Sequence, residues 1–168
     1  MPRKISSFKQ LLAKFPEIEL PVTLNAETHH IFSRENDPLP EALIRAHLQI
    51  DTQGEYDDLT EFVACFRLPS PPAYIALVYW KAQLMEYSYW LLTFEPSGRP
   101  IGSKVIAGTK SNGATILTRI ATIDEDGIIH IAEGISEAEE RLYNAQNSQT
   151  YQLEIADTGD ILHMLEEQ

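Results

Sequence analysis

His29, His30 and His47 are the first residues whose types could hold a metal ion or move a proton. A zinc site needs three or four ligands at coordinated spacing. His29 and His30 are adjacent, so on an extended chain they point to opposite faces. Glu27 then shares a face with His29, and His47 would have to join them through the fold. Nothing in the spacing requires that meeting, so the three histidines stand as weak metal candidates and no metal or other cofactor is predicted. His130 and His163 sit inside apolar runs and read as half-buried strand residues.

Other chemistry-bearing patterns fail on their own requirements. GTKSNGAT (108–115) has two glycines five apart after an apolar run, but Ala114 stands where a phosphate loop needs lysine. The residues that follow it are strand-like rather than helical. DEDG (124–127) has the acid density of a calcium loop, yet Ile128 and Ile135 occupy positions five and twelve, which must ligate. Cys65 lies in the apolar run EFVACFRL, where a thiol behaves as a small core residue with an unreactive pKa. The chain contains no G-x-S-x-G elbow. No local signature of an enzyme emerges.

The densest feature is aromatic: Tyr74, Tyr79, Trp80, Tyr87, Tyr89, Trp90 and Phe94 fall within one proposed hairpin. Cross-strand packing accounts for such a set, at about 0.2–1 kcal/mol per pair. Tyr and Trp also concentrate in binding hot spots. Alternation places Tyr74, Val78 and Trp80 on one face and Ile75, Leu77 and Tyr79 on the other, while Tyr87 and Tyr89 oppose Trp90 and Phe94. One face is then core, and the other is the leading candidate surface. Tyr79, Trp80, Tyr87, Tyr89 and Trp90 are accordingly the candidates for binding a partner or ligand.

The elements that would position these residues divide the chain into a helical or extended part (1–58) and a β part (60–168) within one domain. Ser7 with Gln10 forms a capping-box pattern, and Phe8, Leu11, Leu12 and Phe15 make one apolar stripe stopped by Pro16. EIELPVTL reads as an edge strand or extended arm. PLPEALIRAHL (38–48) reads as a second helix capped by Asp37, with Leu39, Leu43, Ala46 and Ile50 facing one way. From residue 60 the chain is rich in β-branched and aromatic runs separated by PSG (96–98), NG (112–113), DG (126–127) and TG (158–159). Glycine supplies the positive φ such reversals need.

The resulting fold class is α+β, mainly β: short N-terminal helices followed by a curved antiparallel meander of about seven or eight strands, which could be barrel-like. Both alternating sets of AYIALVYWK are apolar, as in a strand buried on both sides. ATILTRIATI separates Ile116 and Ile120 from polar Thr115 and Arg119, and TYQLEIA turns Tyr151, Leu153 and Ile155 inward. Ser136 caps a short helix over 136–146, the one interruption in the meander.

The 168 residues carry a net charge of −12, spread as zero over 1–50, −4 over 51–100 and −8 over 101–168. Such a surface repels phosphate backbones, so nucleic acid and anionic membranes are not expected partners. No apolar run approaches the roughly 18 residues of a membrane span. One cysteine, no N-x-S/T acceptor and the lysines that interrupt the first apolar run point to a soluble cytoplasmic setting. The leading expectation is a non-enzymatic intracellular interaction module. It would use the aromatic hairpin and its acidic surface against a basic protein, for example as the neutraliser of a basic toxin. The alternative is a small barrel whose aromatics line a hydrophobic-ligand cavity, and a third reading is an enzyme with a histidine-based site.

Overall fold

A computed structural model describes residues 6–48, 59–137 and 148–164. Helix α1 (Ser7–Leu12) is capped by Ser6, one residue earlier than the sequence pattern indicates, with its hydroxyl accepting from the Lys9 N–H. The predicted stripe holds: Phe8, Leu11 and Phe15 are buried. After β1 (Val22–Leu24) comes α2 (His29–Glu35), an element the sequence pattern does not announce. It forms because Asn25 ties the turn before it, Oδ1 accepting from Glu27 and Thr28 N–H, and because His29 and Phe32, one turn apart, share an inward face.

The third helix is shorter than 38–48. It begins after Pro40 as α3 (Glu41–Leu43) and continues as a π-helical turn (Ile44–Leu48), burying Leu43, Ile44 and Leu48 and leaving Ala46 exposed. Two prolines in PLP keep its start extended, which removes Asp37 from the cap. Ile50 lies outside the described residues.

The remainder is one antiparallel sheet: β2 (Glu61–Arg67), β3 (Ile75–Gln83), β4 (Glu86–Phe94), β5 (Pro100–Ser111), β6 (Thr115–Ile123), β7 (Ile129–Glu137), β8 (Ser148–Ile155) and β9 (Ile161–Met164), each paired with the next. The glycine-bearing corners do reverse the chain. In three of them the same two backbone bonds recur: Glu95 N–H to Arg99 O with Gly98 N–H to Glu95 O, and their equivalents at Asp124–Ile128 and Ala156–Asp160. Gly98, Gly127 and Gly159 hold φ of 100°, 82° and 91°, the left-handed residue that closes a three-residue hairpin loop. Residues 138–147, where most of a helix is predicted, lie outside the described residues; Ser136, its predicted cap, is in β7.

The sheet splits and curls at β5 and β6. Only Gly108–Ser111 of β5 pair with β6, against Ile116–Arg119, while Ala121–Ile123 of β6 pair with β1 instead. A register shift in β5 opposite Tyr89–Trp90 helps it turn away. The curl carries β9 round until Ile161 lies over Gly102 of β5, 3.5 Å from where a side chain there would begin. The sheet does not close into a barrel, because β2 and β9 remain its ends.

Two apolar clusters result, one on each side of β3 and β4. Inside the curl lie Val63, Cys65, Val78, Trp80, Tyr89, Leu91, Ile123 and Ile131. On the convex side, α1 and α3 cover Ala64, Leu77, Tyr79, Leu92 and Phe94. The doubly apolar pattern of β3 is thus that of a strand buried on both faces, as its sequence indicates. No helix among the described residues is long and apolar enough to cross a membrane.

Candidate functional site

The aromatic hairpin is β3–β4, and neither of its faces is open. Tyr79, Trp80 and Tyr89 are buried, and Tyr87 and Trp90 are half-buried. The expectation of one core face and one presenting face is corrected: the curl and α2 cover one, and α1 and α3 the other. The Tyr89 hydroxyl donates to the Asn25 carbonyl at 2.9 Å, and burial pushes its pKa up. Aromatics also fill the inside of the curl, with Trp80 and Tyr87 rings 6.3 Å apart. What the hairpin exposes is its turn, Leu84 and Met85.

Of the three candidate histidines only His29 and His30 meet, their ring centres 4.0 Å apart. His29 and His30 start a helix rather than lying extended, so they project about 100° apart rather than to opposite faces. His29 lies flat on Trp80, ring centres 4.1 Å apart and planes at 1°, and burial, then the neighbouring His30, lower its pKa. His47 belongs to the other side of the sheet, where it shares a 2.7 Å hydrogen bond with Ser7 and meets Phe8 edge-on. Among the described residues no group of three or more His, Cys, Asp or Glu could hold a metal. His130 is bonded to Asp124 at 2.7 Å at the β6–β7 corner. Cys65 is fully buried, which pushes its thiol pKa well up.

Among several concave regions of the surface, two lie at the mouths of the curl. The first lies where the segment after α1, the β2–β3 loop, the β6–β7 corner and the end of β8 converge. A cleft of about 210 Å³ has Leu20, Leu68, Tyr74, Ile128 and Ile155 among its walls, and Asp126 and Glu154 at its edge. It shares Leu20, Pro69, Asp126 and Gly127 with a wider groove of about 500 Å³, which adds Glu17, Glu19 and Glu125. No Lys or Arg among the described residues lines either part. Asp157 is close enough that its charge, after burial, raises the pKa of Tyr74.

This acidic cleft is assembled locally by simple means. The Arg67 N–H donates to the Pro16 carbonyl and the Ile18 N–H to the Arg67 carbonyl, so residues 16–18 run along the β2 edge and hold Glu17 and Glu19 outward. The tight hairpin at 124–127 projects Glu125 and Asp126 into water, while Asp124 turns back to accept from Asp126 and Ile128 N–H. Glu17 and Asp126 are far apart in sequence, so only the curl brings them together.

The second region is the other mouth of the curl, about 420 Å³, lined by Lys104, Arg119, Glu133, Gln149, Tyr151 and His163 among others. Here sequence alternation misleads. The inward set of β6 is Arg119, Ala121 and Ile123, and Ile120 is exposed. Two apolar residues at the far end of the strand, Ala121 and Ile123, carry the signal that the Ile116–Ile120 spacing obscures. Arg119 Nε donates to Glu133 Oε2 at 2.9 Å, Gln149 donates to Glu133 Oε1, and the Tyr151 hydroxyl lies 3.4 Å from Oε2. Burial raises the Glu133 pKa, but the bonds from Gln149 and Arg119 outweigh it and hold the carboxyl below its ordinary value.

Compared with known proteins, the chain matches no family model, no curated protein and no solved structure.

Proposed function

We propose that this is a non-catalytic binding protein whose acidic cleft receives a basic segment of a partner protein, with the neutralising of a basic toxin as one form such a role takes. The observation that carries the reading is the cleft itself: five carboxylates, Glu17, Glu19, Glu125, Asp126 and Glu154, around an apolar floor, with no base among the described lining residues. Lys and Arg match that construction, because their apolar stems pack on hydrophobic surface while their heads stay polar. The chain's net charge of −12 adds long-range attraction to the same partner. The aromatic hairpin serves this role as scaffold: β3 and β4 fix the β2–β3 loop that forms one wall of the cleft.

The test is affinity capture from the cells that make the protein, comparing the wild type with a variant carrying Glu17→Lys, Glu125→Lys and Asp126→Lys. All three positions are exposed, so the fold is expected to survive, and circular dichroism checks that it does. A basic protein retained by the wild type and lost by the variant is the expected result. Partners that bind both forms equally, or no basic partner at all, contradict the reading.

A further inference from the structure

We propose that the second mouth of the curled sheet binds a small organic carboxylate, gripped by Arg119 and Lys104 and flanked by Tyr151 and His163. The site is distinct from the acidic cleft and stands or falls independently of it.

Strands β5 to β9 each contribute to one space: Lys104 from β5, Arg119 from β6, Glu133 from β7, Gln149 and Tyr151 from β8, and His163 from β9. Most of these are inward positions of the curl. Lys104 pairs with Leu91 and Arg119 follows the alternation of Ala121, both of which are core residues on the concave side. Arg119 is partly buried there, whereas Lys104 is exposed at the rim. The only carboxylate lining the space among the described residues, Glu133, is nearly buried, with 14% of its side chain exposed against 29% for Arg119. Arg119 and Gln149 engage one oxygen each, so Glu133 is already occupied.

This arrangement orients the guanidinium. Arg119 meets Glu133 through Nε and also interacts with the Tyr151 hydroxyl, which together hold the planar guanidinium in place; its remaining N–H donors are the ones a carboxylate would meet. Lys104 supplies a second cation, so the described lining carries two positive charges against one negative in a protein that is otherwise strongly acidic. Tyr151 and His163 meet edge to face at 5.0 Å and form an aromatic wall, with Met164 beside them. A volume of about 420 Å³ matches the usual range for small-molecule sites, roughly 300–1,000 Å³. The chemistry therefore favours an anion with an apolar or aromatic body over a bare ion.

The experiment titrates the wild-type protein with benzoate, succinate, inorganic phosphate and the neutral analogue benzamide, following amide chemical shifts. Saturable shifts at residues of β5–β9 with benzoate, and none with benzamide, are the expected result. Lys104→Gln, at an exposed position, should weaken benzoate at least about threefold, while Lys110→Gln, at the far end of the same strand, leaves it unchanged. Arg119→Lys keeps the charge but loses the planar fork, and should weaken it about tenfold. The proposal is overturned if no organic carboxylate binds saturably up to about 10 mM. It is equally overturned if phosphate binds as tightly as benzoate, or if the Lys104 and Lys110 variants weaken binding alike, since either result marks diffuse attraction to surface lysines.

Discussion

Tyr79 and Trp80 are neighbours on β3, yet each is buried in a different core. Tyr79 packs under α1 and α3 with the Phe62 ring 6.1 Å away, whereas Trp80 lies inside the curl beneath His29 of α2. Alternation along a strand sends successive side chains to opposite faces. When both faces are covered, the same alternation that separates core from surface elsewhere distributes aromatics between two interiors. This makes β3 the central support of the molecule.

Tyr79→Ala is therefore expected to destabilise the fold by about 3–5 kcal/mol, as large aromatic truncations in cores do. Urea unfolding followed by circular dichroism measures it. A loss below about 1 kcal/mol would mean that the convex core is not closed over this ring.

Gly108 of β5 has φ of 134°, and a Cβ added there would lie 2.2 Å from the Tyr87 carbonyl oxygen. Both the strained backbone and the clash with a neighbouring strand oppose any side chain. Gly108→Ala should lower stability by about 2–4 kcal/mol. Gly113→Ala, at a positive φ but in open space, should cost about 1 kcal/mol, so thermal unfolding of the pair separates close approach from backbone strain alone.

The Asp124 carboxyl is held below its ordinary value of 3.8, chiefly by its hydrogen bond with His130. A carboxyl whose folded pKa is depressed contributes stability above its unfolded pKa and loses it as pH falls through the folded one. The thermal midpoint of the wild type should thus exceed that of Asp124→Asn at about pH 5–6, and the gap should close as the pH drops below about 4. A gap that stays constant down to about pH 2 would show that the carboxylate's charge plays no part at this corner.

Much of this architecture is legible from local pattern. The glycine corners at 95–99, 124–128 and 156–160 announce hairpins because positive φ is a local demand. The doubly apolar run 74–81 announces a strand covered on both sides. What pattern alone does not carry is closure. The face of β6 that turns inward depends on the curl, so Arg119 reads as solvated while it lines a cleft. Helix α2 is likewise held by Phe32 and His29 meeting Phe66 and Trp80, contacts no window of sequence contains. The acidic cleft takes four of its five carboxylates from PEIEL and DEDG, each of which is an ordinary solvated stretch until the sheet bends.

The most direct test of the acidic cleft is the salt dependence of association with its captured partner, measured by stopped flow for the wild type and the Glu17→Lys, Glu125→Lys, Asp126→Lys variant. For a cleft that steers a basic segment, the wild-type on-rate should fall on the order of tenfold or more as ionic strength rises from about 0.01 to 0.5 M, because the screening length shrinks from about 30 Å to only a few ångströms. The variant should bind slowly and with a shallow salt dependence. A wild-type rate indifferent to salt, or one unchanged by the three charge reversals, would contradict the central claim.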